Sequence, residues 1–148
     1  MGCLLIDIPE AMKTLLIESF PDVNVDRLYT ADIELYLEGK GDKILIIPTS
    51  VEQKHATRGL IESEVKIDVA FISKLADLKR DTIDNKVQSV EKLAELMMCA
   101  QFDSNDTTYR CTSVIRTAAY FQEFINEYQA FVSVLTPVFT VYKKCQSL

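Results

Sequence analysis

The chain has 148 residues, a formal net charge of -6 and a hydrophobic fraction of 48%. This length suits one buried core, so we expect residues 1–148 to form a single domain. The acidic balance argues against tight binding to nucleic-acid phosphates, and no apolar run reaches the ~20 residues that span a bilayer. The opening residues lack the basic flank of a secretory signal, so we expect a soluble intracellular protein without membrane contact.

The first third of the chain is expected to hold one helix followed by strands. Apolar residues at helical spacing predict a helix over Pro9–Phe20. Alternating apolar and polar residues predict a strand within Leu28–Leu37, and glycines predict an exposed turn over Gly39–Asp42. A short β-branched strand, Ile44–Ile47, is expected to end at Pro48.

The second half of the chain has clearer patterns. Alternation over Val65–Phe71 predicts a strand, and the amphipathic segment Asp84–Ala100 predicts a helix. A strand is expected over Arg110–Arg116, and it is followed by an aromatic stretch, Tyr120–Phe124, whose secondary structure is ambiguous. The last element, Phe131–Tyr142, is predicted to be a strand interrupted or bent at its proline.

The polar segment Thr49–Glu62 lies between two predicted strands and has mixed charge. Its alternation of Val51, Gln53 and His55 is too polar to face a core, so the segment reads either as a long loop or as a β-arm that projects from the sheet. Its exposed polar residues make it the candidate contact surface for another subunit or a partner: Glu52, Gln53, Lys54, His55, Thr57 and Arg58. The alternative is a hairpin that is merely solvated.

The order of elements predicts an α+β protein. We expect a single antiparallel or mixed β-sheet with helices packed on one face and a projecting polar β-arm or long loop. A sheet that is covered on one side only leaves its other face for water or for another subunit, which favours oligomerisation.

The sequence contains no coherent set of catalytic or ligand-binding residues. The single histidine, His55, has no serine, cysteine or carboxylate at a spacing that indicates a catalytic triad. Cys3, Cys99, Cys111 and Cys145 lack the paired spacing of a zinc site and are expected to be reduced thiols. The glycines form no phosphate-binding loop. We therefore expect no catalytic, cofactor-binding or metal-binding residues; an enzyme would require His55 or a cluster of carboxylates to converge in a pocket.

The order of these features resembles the tail terminator family of tailed bacteriophages, also called tail-completion or minor tail proteins. The resemblance is carried by the proline-ended strand Ile44–Pro48, the polar segment with Arg58-Gly59, the strand Val65–Ile72 continuing into Ser73-Lys74-Leu75, the amphipathic helix, and the closing strand Phe131-Val132-Ser133. It extends over Ile44–Tyr142.

The resemblance implies a non-enzymatic virion subunit that is assembled in the host cytoplasm. Such subunits form a ring, typically a hexamer, at the head-proximal end of the tail tube, where the ring ends tube growth and provides the docking surface for the neck. The implied partners are other copies of the chain, the tail tube protein, and a neck or head-completion protein. DNA would pass through the lumen without sequence-specific binding.

Two other functions remain open at the level of sequence. A head-to-tail joining protein of the neck has a similar subunit fold. A small acidic cytosolic binding or regulatory module, such as a toxin-neutralising or immunity-like protein, is the alternative from a different class, and it would be monomeric or dimeric.

Overall fold

The structure, a computed structural model, describes residues 3–30, 33–37, 41–104, 107–116 and 118–144. Within these residues lie the α-helices α1 (Leu4–Ser19), α2 (Arg80–Met98) and α3 (Gln122–Tyr128) and a 3-10 helix, Ile33–Tyr36. The strands are β1 (Asn24–Arg27), β2 (Asp42–Thr57), β3 (Leu60–Lys74), β4 (Gln101–Ser104), β5 (Thr107–Ile115) and β6 (Ala130–Lys144).

The described strands form one mixed sheet with the order β1-β2-β3-β6-β5-β4, which curls into a half-barrel. Only β1 and β2 run parallel, whereas the other neighbouring strands are antiparallel. The predicted α+β fold with a single mixed sheet is therefore confirmed.

The main core lies between one face of this sheet and the two long helices. Ile8, Met12 and Leu16 of α1 are fully buried, and so are Leu93 and Met97 of α2. These residues recur every three to four positions, so each helix presents one apolar stripe. The stripes cover alternate residues of the central strands: Ile44, Ile46, Val65, Ile67, Val69, Phe71, Phe131, Leu135 and Phe139.

A second, smaller core covers part of the opposite face. It contains the buried residues Leu37, Leu45, Ala70, Ile72, Ala130 and Val132, with Phe124 and Tyr128 of α3 packed against them. The prediction that helices pack on one face therefore holds for α1 and α2 but not for these side chains of α3. The reason is that the central strands are apolar at successive positions here, so both of their faces need cover.

Several element boundaries differ from the sequence predictions. The strand expected over Leu28–Leu37 is wrong, because β1 ends at Arg27 and Ile33–Tyr36 forms a 3-10 helix. Ile33, Tyr36 and Leu37 all join the second core, so their spacing was helical rather than alternating. Helix α1 begins at Leu4 rather than at Pro9, because Ile8 belongs to its buried stripe. The turn expected over Gly39–Asp42 lies partly outside the described residues, and so does Cys145.

Pro48 does not end its strand and Pro137 does not interrupt its strand, contrary to the sequence predictions. Strand β2 continues past Pro48 through a β-bulge at Thr49, whose hydroxyl donates to the Lys66 carbonyl at 2.9 Å. The Leu28 amide donates a hydrogen bond to the Ile46 carbonyl, which points away from β3. Strand β1 pairs with β2 only as far as Ile46. The missing N–H of Pro48 consequently faces an open edge, where proline is tolerated. Strand β6 also runs through Pro137 without changing its register against β3.

Candidate functional site: the three-stranded arm

The polar segment predicted as a loop or β-arm is the outer part of a long hairpin. Residues 50–57 of β2 pair with residues 60–66 of β3, and residues 138–144 of β6 pair with the other side of β3. We call these three strand ends, with their connecting turn, the arm. Arg58 and Gly59 form the turn, and Gly59 adopts a φ of +80°, which favours glycine. The arm interpretation is thus confirmed over the loop.

The six candidate contact residues all lie on this arm and are all exposed. The alternation of a strand divides them between two faces: Glu52 and Lys54 lie opposite Glu64 and Glu62, whereas Gln53 and His55 lie opposite Ser63 and Ile61. Thr57 and Arg58 lie at the end of the arm. The structure therefore brings the candidates onto one element but not onto one surface.

One face of the arm is polar and carries a chain of charged contacts across all three strands. The Lys54 ammonium lies 3.0 Å from the Glu62 carboxylate, and the Tyr142 hydroxyl donates to the same carboxylate at 2.9 Å. These hydrogen bonds, first from Lys54 and then from Tyr142, hold the pKa of Glu62 below its usual value. The same carboxylate raises the pKa of Lys54 and of Tyr142. The Lys54–Glu62 ion pair thus lies within the hairpin, and the hydrogen bond from Tyr142 links β6 to it.

The other face of the arm forms a pocket with the first turn of α1. The pocket has a volume of about 400 Å³. Its lining consists mainly of apolar and hydroxyl side chains, among them Leu4, Val51, Ser63, Tyr109 and Val141, and also includes Cys3, Gln53 and Lys143. Burial raises the pKa of Tyr109, and the nearby negative charge of Asp7 adds to the effect. Apart from the exposed thiol of Cys3 and the amine of Lys143, these groups offer packing and hydrogen bonds.

His55 has no side-chain hydrogen bond or ion pair within the part of the chain that the structure describes. His55 is exposed on the arm, opposite Ile61. Across the described residues, no group of three or more His, Cys, Asp or Glu side chains is arranged to hold a metal ion.

None of the described helices is long and apolar enough to cross a bilayer.

The outer edge of β2 is open along the arm. The backbone N–H and C=O groups of even-numbered residues in β3 point towards β2, as the bond from the Thr49 hydroxyl to the Lys66 carbonyl indicates. The backbone groups of their partners Ser50, Glu52 and Lys54 therefore point towards β3. The backbone groups of Val51, Gln53 and His55 consequently face away from the sheet. No strand in the described part of the chain pairs with that edge. An open edge of this kind is a template for pairing with another chain.

The tip of the arm is basic although the chain is acidic. Lys143 lies opposite Ile61 and Lys144 lies opposite Leu60, which places both lysines beside the turn that carries Arg58. None of these three cations forms an ion pair within the described residues. Sequence reasoning missed the two lysines because only the pairing of β6 with β3 brings them to the turn.

Comparisons with known proteins give no family for the chain. No model of a protein family matches it, and no curated protein matches it.

Proposed function

We propose that the chain is a non-enzymatic structural subunit of the tail terminator type, which forms a ring at the head-proximal end of a phage tail tube. The observation that carries the proposal is the three-stranded arm, which has exposed polar side chains and an open edge along β2. A monomeric protein normally shields such an edge with short strands, charged side chains, proline or bulges, and of these devices the arm itself carries the charged side chains of Glu52 and Lys54. Here Pro48 and the bulge at Thr49 lie at the base of the arm, and the strand continues beyond them.

The mechanism is contact between complementary surfaces rather than chemistry. The outward N–H and C=O groups of Val51, Gln53 and His55 supply backbone hydrogen bonds to a neighbouring subunit, and the side chains of the arm supply specificity. A stable interface of this kind buries about 800 Å² per partner. The completed ring presents one side to the tube protein, where it ends growth, and the other to the neck.

The acidic balance of the subunit is consistent with passage of DNA through such a ring. A net charge of -6 per subunit repels phosphate and does not retain DNA in the lumen. In this proposal the protein resides in the virion, at the head-proximal end of the tail, after assembly in the host cytoplasm.

The proposal is tested by assembling tail tubes from the tube protein of the phage that encodes the chain. We expect the wild-type protein to limit tube length and to bind one end, because a terminator blocks further addition of subunits. Arg58→Glu should weaken this activity without unfolding the subunit. The matched control is Arg80→Glu, which changes an exposed arginine at the start of α2, away from the arm.

Two outcomes would contradict the proposal. Tubes that grow to the same length with and without the protein would favour the regulatory module, particularly if the protein stays monomeric or dimeric. Binding to a head or neck component without any effect on tubes would favour the head-to-tail joining protein.

A further inference from the structure

The charges of the chain are separated between the tip of the arm and the body. The tip carries Arg58, Lys143 and Lys144, all exposed and without an ion pair among the described residues. The half-buried apolar side chains of Leu60 and Ile61 lie between them. Because the whole chain has a net charge of -6, the part of the chain outside the tip carries a larger net negative charge than the whole chain. A basic tip on an acidic subunit is electrostatically suited to the body of another copy.

A groove on the body has the complementary chemistry. It lies between α1, the end of α2 and the edge strand β4, and its volume is about 630 Å³. Leu15, Leu96 and Phe102 supply half-buried apolar surface, and the exposed carboxylates of Glu18 and Asp103 are its charged groups. No basic side chain of the described residues lines it. We call this the α1–β4 groove.

The tip and the groove belong to different parts of the fold. The tip lies at the shared end of β2, β3 and β6, whereas β4, two strands from β6 in the sheet, lines the groove with α1 and the end of α2. The tip and the groove share no residue, so one copy can use both at once. Contacts between two different surfaces repeat from copy to copy, and they close into a ring where the rotation permits.

We propose that the basic tip of one copy docks in the α1–β4 groove of the next copy. The tip enters the groove end first: its cations face the carboxylates of Glu18 and Asp103, while Leu60 on one face of β3 and Ile61 on the other contact opposite apolar walls of the groove. This inference rests on the proposed function, since it adds a second contact between neighbouring subunits of the ring, besides the backbone pairing at the edge of β2. Exposed charges interact within about 10 Å at 0.1 M salt, so the contact should weaken as salt rises.

The test is sedimentation velocity of the purified chain over a range of protein concentrations, at low and high salt. We expect self-association at low salt that is reduced at high salt. A tip-reversed variant, Arg58→Glu with Lys143→Glu, and a groove-reversed variant, Glu18→Lys with Asp103→Lys, should each lose about tenfold or more in association. The matched control, Lys79→Glu, reverses an exposed charge on the body next to α2 and should associate like the wild type. Circular dichroism establishes that each variant is folded.

Mixing the two reversed variants gives the decisive result. The acidic tip of the first fits the basic groove of the second, and the unchanged tip of the second fits the unchanged groove of the first. Association should therefore return in the mixture, and also in a chain that carries all four substitutions. A chance effect on folding would not be repaired by mixing.

Several results would overturn the inference. These are a wild type that stays monomeric at low salt, reversed variants that associate normally, or a mixture that does not recover. Retention of duplex DNA that is lost on tip reversal, with self-association unchanged, would assign the tip to nucleic acid instead. Normal rings from the reversed variants would overturn this contact and leave the proposed function standing. Salt-sensitive pairing without tube binding would instead contradict the proposed function.

Discussion

Glu52 on β2 lies directly opposite Glu64 on β3, and neither carboxylate forms an ion pair within the described residues. Like charges at directly opposite positions of an antiparallel pair destabilise it. We expect Glu52→Gln to stabilise the isolated subunit by about 0.2–1 kcal/mol, measured by urea denaturation, whereas Glu64 also attracts the Lys54 ammonium. The matched control, Asp26→Asn, changes an exposed strand carboxylate opposite Leu45, where no like charge is relieved. Equal effects of the two substitutions would show that repulsion across the arm is unimportant.

The contacts of Glu62 predict a pH dependence of the arm. Its pKa is lowered, so its contribution to stability is present above the usual glutamate pKa of about 4.3 and is lost as pH falls through the folded value. The pKa values of Lys54 and Tyr142 are raised, so their contributions are present below about pH 10 and are lost as pH rises through the folded values. The pairing is therefore complete between about pH 5 and 9.

Removing one partner tests this assignment. Tyr142→Phe deletes the hydroxyl that donates to Glu62, so we expect the pKa of Glu62 to rise towards its ordinary value. The measurement is an NMR titration of the Glu62 side-chain carboxyl. Tyr29→Phe, which removes a hydroxyl bound by Arg27, should leave the titration of Glu62 unchanged. An unaltered Glu62 pKa in Tyr142→Phe would contradict the contact.

Phe139 joins the arm to the main core. Its side chain is fully buried, and its ring centroid lies 5.9 Å from that of Phe102 on β4. Phe139→Ala should lower the free energy of unfolding by about 3–5 kcal/mol, because it removes buried apolar surface and leaves a cavity. Leu78→Ala, at a position that is 55% exposed, should change it by less than about 0.5 kcal/mol. A small effect of Phe139→Ala in denaturant unfolding would place β6 outside the core.

Asp42 connects the start of β2 to β3 and to α2. It accepts a hydrogen bond from the buried Ser73 hydroxyl at 2.5 Å and lies 3.1 Å from the Lys86 ammonium on α2. Asp42→Ala leaves the Ser73 hydroxyl without this acceptor and should cost about 1–3 kcal/mol of unfolding free energy. Asp42→Asn keeps an acceptor oxygen and should cost less. Equal losses in the two variants would assign the effect to the ion pair with Lys86 alone.

Elements with one strong pattern were predictable from the sequence. The alternation of Val65, Ile67, Val69 and Phe71 indicated β3 because these side chains all face the main core. The stripe of Val90, Leu93 and Met97 indicated α2 for the same reason. The short β1 could not be predicted, because four polar and apolar residues at an edge have no distinctive period.

The candidate site was predictable in position, and a β-arm was one of the two structures that the sequence allowed. The polar composition of Thr49–Glu62 indicated exposure, and the turn at Arg58-Gly59 sets the pairing of Lys54 with Glu62. The contributions of Tyr142, Lys143 and Lys144 depend on which strand pairs with β3. That choice is made by tertiary packing, which a local pattern does not contain. The α1–β4 groove likewise exists only after the helices have docked on the sheet.

Negative-stain imaging of the purified protein, alone and mixed with tail tubes, tests the central claim most directly. The account predicts closed rings of the chain, or caps confined to one end of each tube. Compact monomers or dimers that ignore the tubes would contradict it.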